Sequence, residues 1–191
     1  NVMLETEVQS LDPQVATDGT SFEVIADYTD GLMQMDTDGA AVPAIAETYD
    51  ISEDGKTYTF HLREGVKWHD GEPFTADDVK FTIEAIMDPE NGSENAPNYE
   101  DVEEITVIDA QTVAFRLTEP NVAFLEYMTM GILPQHLLAG QDMQESDFFR
   151  NPVGTGAYKF VEWIAGDRVV LERNEEYWGE LPEFKNLIIR T

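Results

Sequence analysis

The chain has 191 residues, no cysteine, and 39 acidic against 11 basic residues, which gives a formal net charge of −28. The absence of cysteine excludes disulfides, thiolate metal sites and thiol nucleophiles, and the negative charge disfavours nucleic acid and anionic lipid surfaces as partners. Because the acids are spread along the whole chain, we expect a surface suited to high salt, where screening weakens self-repulsion.

The first 32 residues predict a strand followed by a helix. Residues 2–5 alternate in the manner of a strand. Residues 20–23 have the form of a capping box, in which Thr20 and Glu23 satisfy free backbone amides reciprocally, so we expect the helix to begin there. Gly31 suits the helix end. The expected apolar face of this helix consists of Phe22, Ile25, Tyr28 and Leu32.

A β-hairpin and a second helix follow. Residues 47–52 and 57–63 are predicted to pair through the Asp54-Gly55 turn, since Asp-Gly between two such runs favours a hairpin. The face of the second strand that we expect to be buried carries Tyr58, Phe60 and Leu62. After a further turn at Asp70-Gly71, a helix is expected to begin at residues 75–78. Its core face is predicted to consist of Val79, Ile83 and Ile86.

The rest of the chain predicts more strands and one more helix. Asp88-Pro89 stops the second helix, and the polar residues 88–101 are typical of a loop. We expect strands at 105–108, 112–117, 158–163, 168–173 and 187–190, and an apolar helix at 122–130. The class is therefore mixed α/β with hairpins, and the order of elements is not that of a regular βαβ array.

No motif in the sequence points to catalysis or to a metal. No serine or cysteine nucleophile motif accompanies the histidines, and the spacing of His61, His69 and Asp70 matches no zinc motif. We therefore expect no metal and no cofactor. Gly154-Thr155-Gly156 is interpreted as a turn, because a strand follows it where a phosphate site needs a helix. In a chain this acidic, close carboxylate pairs of the glycosidase type arise by chance, so a hydrolase remains a weak alternative.

Several segments in order resemble one protein family. They are "EVQSLDPQ" at 7–14, the stretch from "YTDGLM" to "DDVKFTIE" at 28–84, "NPVGTGAYKF" at 151–160, and "VVLERNEEYWGELPEFKNLIIR" at 169–190. Together they are similar to the family 5 extracellular solute-binding proteins, the peptide- and nickel-binding components of ABC importers. The resemblance covers essentially every residue from Glu7 onward. One departure is Ala157, where the family more often has proline.

The resemblance implies an α/β fold of the type II periplasmic binding proteins, with a mixed sheet. By analogy, residues 1–31 and 151–191 would form the first lobe core near the hinge, and residues 32–150 an inserted β-rich subdomain. Members of the family are much longer than this chain, so we expect it to hold the first lobe and its insertion, with the second lobe absent.

The function implied is capture of di- or oligopeptides in a cleft between two lobes, for delivery to a membrane permease, with no enzymatic activity. The resemblance also implies a monomer outside the cytoplasm, lipid-anchored in its full-length form. A nickel chelate or another small solute is the alternative ligand. The nickel-type relatives tend to have an arginine near the end of the apolar helix, and its absence at 127–133 favours peptides. A structural or sensory module without transport also stays open.

Six positions are implied to face the ligand: Thr17, Asp18, Gly19, Tyr99, Met128 and Met130. The first three lie at the family's ligand-facing loop, where glycine would let a ligand backbone approach closely, although a simple strand-to-helix turn explains them equally well. Tyr99 is expected to be exposed beside the cleft. The flexible thioethers of Met128 and Met130 could line an adaptable pocket, with a place in the core as the alternative.

Overall fold

The computed structural model describes residues 2–3 and 6–190. Its strands are β1 (Val2–Met3), β2 (Met33–Met35), β3 (Ala41–Pro43), β4 (Ala46–Ile51), β5 (Thr57–Leu62), β6 (Val102–Asp109), β7 (Thr112–Leu117), β8 (Tyr158–Ile164), β9 (Arg168–Arg173) and β10 (Asn186–Arg190). Its helices are α1 (Gly19–Tyr28), α2 (Ala76–Met87), α3 (Phe124–Tyr127) and α4 (Gln135–Leu138). In this described part of the chain, no helix has the length and apolar character that crossing a membrane requires.

Helix α1 and the carboxy-terminal strands share one apolar core. Their sheet has the order β1-β10-β9-β8, with β1 parallel to β10 and the other pairs antiparallel. Ile25 and Tyr28 of α1 belong to the same buried cluster as Val169 and Leu171 of β9. Since side chains alternate along a strand, one face of β9 packs in this core. The predicted final hairpin is confirmed, and the strand expected at 2–5 is seen at β1, with Leu4 and Glu5 outside the described residues.

Residues 32–132, between α1 and the carboxy-terminal strands, form a second apolar core. An antiparallel sheet of order β4-β5-β7-β6 packs against α2, while β2 and β3 form a separate hairpin. The face predicted for β5 is confirmed, because its three apolar residues, Tyr58, Phe60 and Leu62, are all buried. Phe60 meets Phe115 of β7 edge-on, with ring centroids 5.9 Å apart. Strict alternation thus places one whole face of β5 in this core.

Local signals correctly located the turn before β5 and the start of α2. Gly55 has φ of +70°, a left-handed conformation that glycine adopts without strain. At the start of α2, the Asp78 carboxylate accepts a hydrogen bond from the Thr75 amide at 2.9 Å. The predicted core face of α2, namely Val79, Ile83 and Ile86, is buried. The helix ends at Met87, immediately before the Asp-Pro pair.

The predicted capping box of α1 is wrong. The helix begins at Gly19, and its cap is Asp18, whose carboxylate accepts a hydrogen bond from the Ser21 amide at 2.8 Å. The Thr20 hydroxyl instead pairs with the hydroxyl of Thr6. The cap lies two residues earlier than expected, the helix ends at Tyr28, and its buried face is formed by Ser21, Val24, Ile25 and Tyr28. Phe22 is 44% exposed, and Leu32 lies beyond the helix in the other core.

The apolar helix expected at 122–130 is also largely wrong. Only Phe124–Tyr127 is helical, and Val122 is 95% exposed. Beyond the helix, the Met128 carbonyl accepts a hydrogen bond from the Met33 amide at 3.0 Å, and the Ile132 amide donates to the Asp30 carbonyl at 3.1 Å. These long-range backbone bonds replace those that would have continued the helix.

The Gly154-Thr155-Gly156 segment returns the chain from the second core to the first. It crosses the end of α1 so closely that a Cβ atom on Gly154 would lie 1.9 Å from the Tyr28 carbonyl oxygen. The Gly156 amide donates to that same oxygen at 2.9 Å. The turn predicted here is therefore a crossing point between backbones, and it needs glycine because no side chain fits between them.

Candidate functional site

A groove of about 470 Å³ opens between α1 and the loops of the second core. One wall is the outer face of α1, where Phe22, Ile25 and Ala26 border the groove. Apolar side chains of β2 and the segment after α3 also line it, including Met35 and Met130. Its volume lies in the range of small-molecule sites, and its mixed apolar and polar lining is typical of such sites.

Two glycines allow the backbone at one edge of this groove to pack tightly. A Cβ atom on Gly31 would lie 2.7 Å from the Met128 carbonyl oxygen, and one on Gly131 would lie 2.6 Å from the Thr29 hydroxyl. Both glycines line the groove. The chain segments that follow α1 and α3 can therefore lie side by side here, which brings residues about 100 positions apart in sequence into one wall.

Tyr99 lies in the lining but is not the exposed side chain that we expected. Only 1% of its surface is exposed, and its hydroxyl donates a hydrogen bond to the Tyr127 carbonyl oxygen at 2.7 Å. Burial of this ring raises the pKa of its hydroxyl. Tyr99 thus fixes the position of Tyr127, a second lining residue, and its neighbours Asn95 and Asn98 supply amide groups to the same wall.

Asp30 lies two residues beyond the end of α1 and contributes to the groove lining. It accepts hydrogen bonds from the indole of Trp178 at 3.0 Å, the hydroxyl of Tyr177 at 3.2 Å and the hydroxyl of Thr155 at 3.3 Å. Burial raises the pKa of this carboxyl, and the three donors act in the opposite direction. Asp30 therefore ties the carboxy-terminal segment to the groove wall.

The six positions that the sequence implied to face the ligand do not all lie in the groove. Tyr99 and Met130 line the groove, whereas Met128 is 1% exposed and belongs to the second core, in agreement with the alternative assignment for that residue. Thr17, Asp18 and Gly19 do not line it. They lie at the start of α1, about one helical turn before Phe22.

The loop at the start of α1 combines free space around Gly19 with a helix-capping role for Asp18. Gly19 is exposed, and a Cβ atom added to it would meet nothing within 4 Å, so there is free space around its backbone. Asp18 is committed to capping the helix, as a strand-to-helix turn requires. The structure thus leaves both interpretations of Thr17, Asp18 and Gly19 open.

His69 connects the two cores at the Gly154–Gly156 segment. Its Nδ1 accepts a hydrogen bond from the Gly154 amide at 3.2 Å, and its Nε2 lies 2.9 Å from the Gly156 carbonyl oxygen. These partners require the neutral tautomer with the proton on Nε2. Burial lowers the pKa of His69 to about 4, so the neutral form persists. Among the described residues, His, Asp and Glu form no group of three that could hold a metal ion.

Sequence reasoning missed several lining residues. Phe22 was assigned to the core, and neither Asp30 nor Glu126 was singled out although both line the groove. The carboxylates carry no local motif, and in a chain with 39 acids nothing in the sequence separates them from the others. Phe22 could have been found by drawing the buried face of α1 through Val24, Ile25 and Tyr28, because Phe22 projects from a different side of the helix.

Comparison with known proteins decides the family. Residues 40–191 match the family described as "Bacterial extracellular solute-binding proteins, family 5 Middle". The chain belongs to this family. Its members are, by that description, extracellular solute-binding proteins of bacteria, which confirms the resemblance noted from the sequence segments.

Two solved structures extend the likeness over almost the whole chain. NikZ from Campylobacter jejuni, in complex with Ni(L-His), is 37% identical, with a TM-score of 0.93 over 99% of this chain and 38% of its own. The oligopeptide-binding protein AppA from Bacillus subtilis, in complex with a nonapeptide, is 27% identical, with a TM-score of 0.93 over 99% of this chain and 39% of its own. The expected type II periplasmic-binding-protein fold is thus confirmed.

A curated relative shows the same partial coverage. The Di/tripeptide-binding protein 1 of Pseudomonas aeruginosa is 34% identical over 191 residues, which covers 87% of this chain and 36% of the relative. The chain spans about a third of the length of the curated relatives that it matches.

Proposed function

We propose that this chain supplies part of the ligand cleft of a peptide-binding component of an ABC importer. The observation that carries the proposal is the groove of about 470 Å³, whose wall combines exposed apolar side chains with the amide groups of Asn95 and Asn98. Apolar contacts can hold peptide side chains with little selectivity, while amides can bond to a peptide backbone. Family membership and the relatives that bind peptides support it.

A nickel chelate is the second candidate, favoured by the likeness to NikZ with its Ni(L-His). The lining of the groove argues against it. Among the described residues that line the groove there is no histidine to offer nickel an imidazole ligand, and no lysine or arginine to pair with an anionic chelate. A peptide is therefore the ligand that we propose.

The two apolar cores support a division of the chain into a first lobe core and an insertion. We propose that residues 1–31 with 151–191 form the former, and residues 32–150 the latter, as the sequence segments suggested. The core around α1 and β9 is drawn from the outer segments, and the larger core from residues 32–132. Closure of a second lobe over the groove would then make ligand contacts that the open form lacks.

The remaining parts of the proposal follow from this role. The protein would act as a monomer outside the cytoplasm, held by a lipid anchor, and would deliver its ligand to a membrane permease without changing it chemically. Release of product from glycosides or esters would contradict the absence of catalysis. A gene that lies apart from permease and ATPase genes would favour a sensory role.

The groove can be tested by filling it. Ala26 is exposed on α1 and lines the groove, so Ala26→Trp should block ligand entry and weaken binding at least about tenfold, which corresponds to about 1.4 kcal/mol. Native mass spectrometry of the complete gene product, purified without denaturation, identifies a co-purified peptide. Calorimetry with that peptide, or with Ala-Phe-Lys if none is found, measures the affinity.

The matched control is Ala165→Trp, an equal change at an exposed position in the turn between β8 and β9. It should leave the affinity unchanged, and both variants should keep the melting temperature of the parent. Equal binding by the Ala26→Trp variant and the parent would show that the groove is not the ligand site. A co-purified sugar or metal chelate would overturn the peptide assignment.

A further inference from the structure

We infer that the groove selects positively charged ligands, so that the peptides captured carry a basic side chain beside an apolar one. The inference rests on the proposed function and names the class of peptide. Two features of the groove support it, namely its negative charge and the exposed apolar surface beside that charge.

The groove contains negative charge without compensating positive charge. Asp30 and Glu126 both contribute to its lining, and no basic residue does so among the described lining residues. Neither carboxylate takes part in any ion pair within the described residues, whereas Arg116, for example, pairs with Glu103 at 2.7 Å on the far sheet. Glu126 is exposed, so its negative charge is available to a ligand, whereas the Asp30 carboxylate is held by Trp178, Tyr177 and Thr155.

The helix that forms the wall adds to this field. Residues 1–31 contain seven acidic residues and no basic one. Two of them, Glu23 and Asp27, follow Phe22 and Ala26 in the sequence of α1 and lie outside the groove lining, so they add only to the long-range field. A cleft lined by one sign of charge focuses the field and attracts the opposite charge, and it repels an anionic ligand of the same size.

The same groove offers apolar surface. Phe22 is 44% exposed and Met35 is 48% exposed, and both line the groove. Large apolar side chains left in contact with solvent at the edge of a cleft are typical of binding surfaces. The apolar stem of a lysine or arginine side chain can pack on such aromatic and thioether groups. Its charged head group then stays near the carboxylates.

The test compares two peptides that differ only in charge. The probes are Ala-Phe-Lys and Ala-Phe-Glu, titrated into the complete gene product by calorimetry at low salt. We expect the lysine peptide to bind on the order of tenfold more tightly, since like charges across an interface are disfavoured. Raising the salt to about 1 M should reduce this ratio, because screening weakens the field.

Two variants locate the charge that is responsible. Glu126→Gln should lower the ratio roughly two- to fivefold, the effect of one exposed ion pair. Glu119→Gln, an equally conservative change at an exposed residue outside the groove lining, should leave the ratio as it is. Asp30 is not used, because its carboxylate also anchors Tyr177 and Trp178.

The outcomes separate this inference from the proposed function. Equal affinity for the two peptides, or preference for the glutamate peptide, overturns the charge selection and leaves peptide capture standing. A ratio that Glu126→Gln and Glu119→Gln change equally also overturns it, since the effect would then come from the net charge and not from the groove. Failure of both peptides to bind overturns the inference together with the proposed function.

Discussion

A single buried carboxyl group makes the folding stability of this chain depend on pH. Asp12 is 8% exposed, and its carboxylate accepts a hydrogen bond from the Gln14 amide at 2.8 Å. Burial raises the pKa of Asp12 to about 6, since removal from water disfavours the charged form. The neutral acid is thus favoured in the folded protein more than in the unfolded chain, where the pKa is about 3.8. The stabilisation from this preference is complete below pH 3.8 and is lost as the pH rises through 6.

Asp12→Asn should therefore stabilise the protein at neutral pH. Asparagine keeps the acceptor for the Gln14 amide and cannot ionise, so we expect a gain on the order of 2 kcal/mol in the free energy of unfolding at pH 7 and almost none near pH 4. Urea unfolding at a series of pH values measures this gain. Asp142→Asn is the control, because Asp142 bonds to the Gln144 amide in the same way but is exposed. A gain that does not change with pH would contradict the role assigned to Asp12 burial.

At the scale of single elements, the repeating patterns of β5 and α2 were reliable, whereas the signal at the start of α1 was not. The alternation in β5 and the helical spacing in α2 each involve many side chains, so one exception does not change the outcome. The start of α1 depends on which of two neighbouring polar residues, Asp18 or Thr20, reaches a free amide. Both are good capping residues, so the sequence does not decide between them.

The cap of α1 can be tested with two alanine variants. Asp18→Ala removes the acceptor for the Ser21 amide and should cost about 1 kcal/mol of stability. Thr20→Ala removes a hydroxyl that hydrogen-bonds to the Thr6 hydroxyl at the surface, and should change stability by less than about 0.5 kcal/mol. The midpoint of urea unfolding measures both. A larger cost for the threonine variant would restore the capping box that the sequence first suggested.

At the scale of the whole molecule, the charge of −28 is the dominant long-range term. Charges of one sign repel one another and destabilise the compact state, and salt screens this repulsion. Several basic residues are already engaged in ion pairs, such as Arg168 with Glu162 at 3.0 Å and Arg173 with Glu175 at 2.8 Å. Most of the acids consequently have no cation to neutralise them, because 39 acids face only 11 bases.

We therefore expect the melting temperature to rise by several degrees between about 0.05 M and about 1 M NaCl, a range over which the Debye length falls to roughly 3 Å. Thermal unfolding followed by circular dichroism measures it. Sucrose stabilises compact states by exclusion without screening charge, and at matched osmolality it should produce a smaller rise. A melting temperature that stays constant with salt would refute the adaptation to high salt proposed from composition.

The sequence by itself determined the family, the β4–β5 and β8–β9 hairpins, α2 and the acidic character, because each of these depends on many residues; it did not predict the short β2–β3 hairpin. The tertiary structure alone decided where the groove lies and which residues line it. Phe22 and Asp30 lie far from Glu126 in sequence, and Gly31 and Gly131 let the two segments pack side by side. Close approach of distant backbones leaves no periodic signal along the chain, so no local pattern could have revealed it.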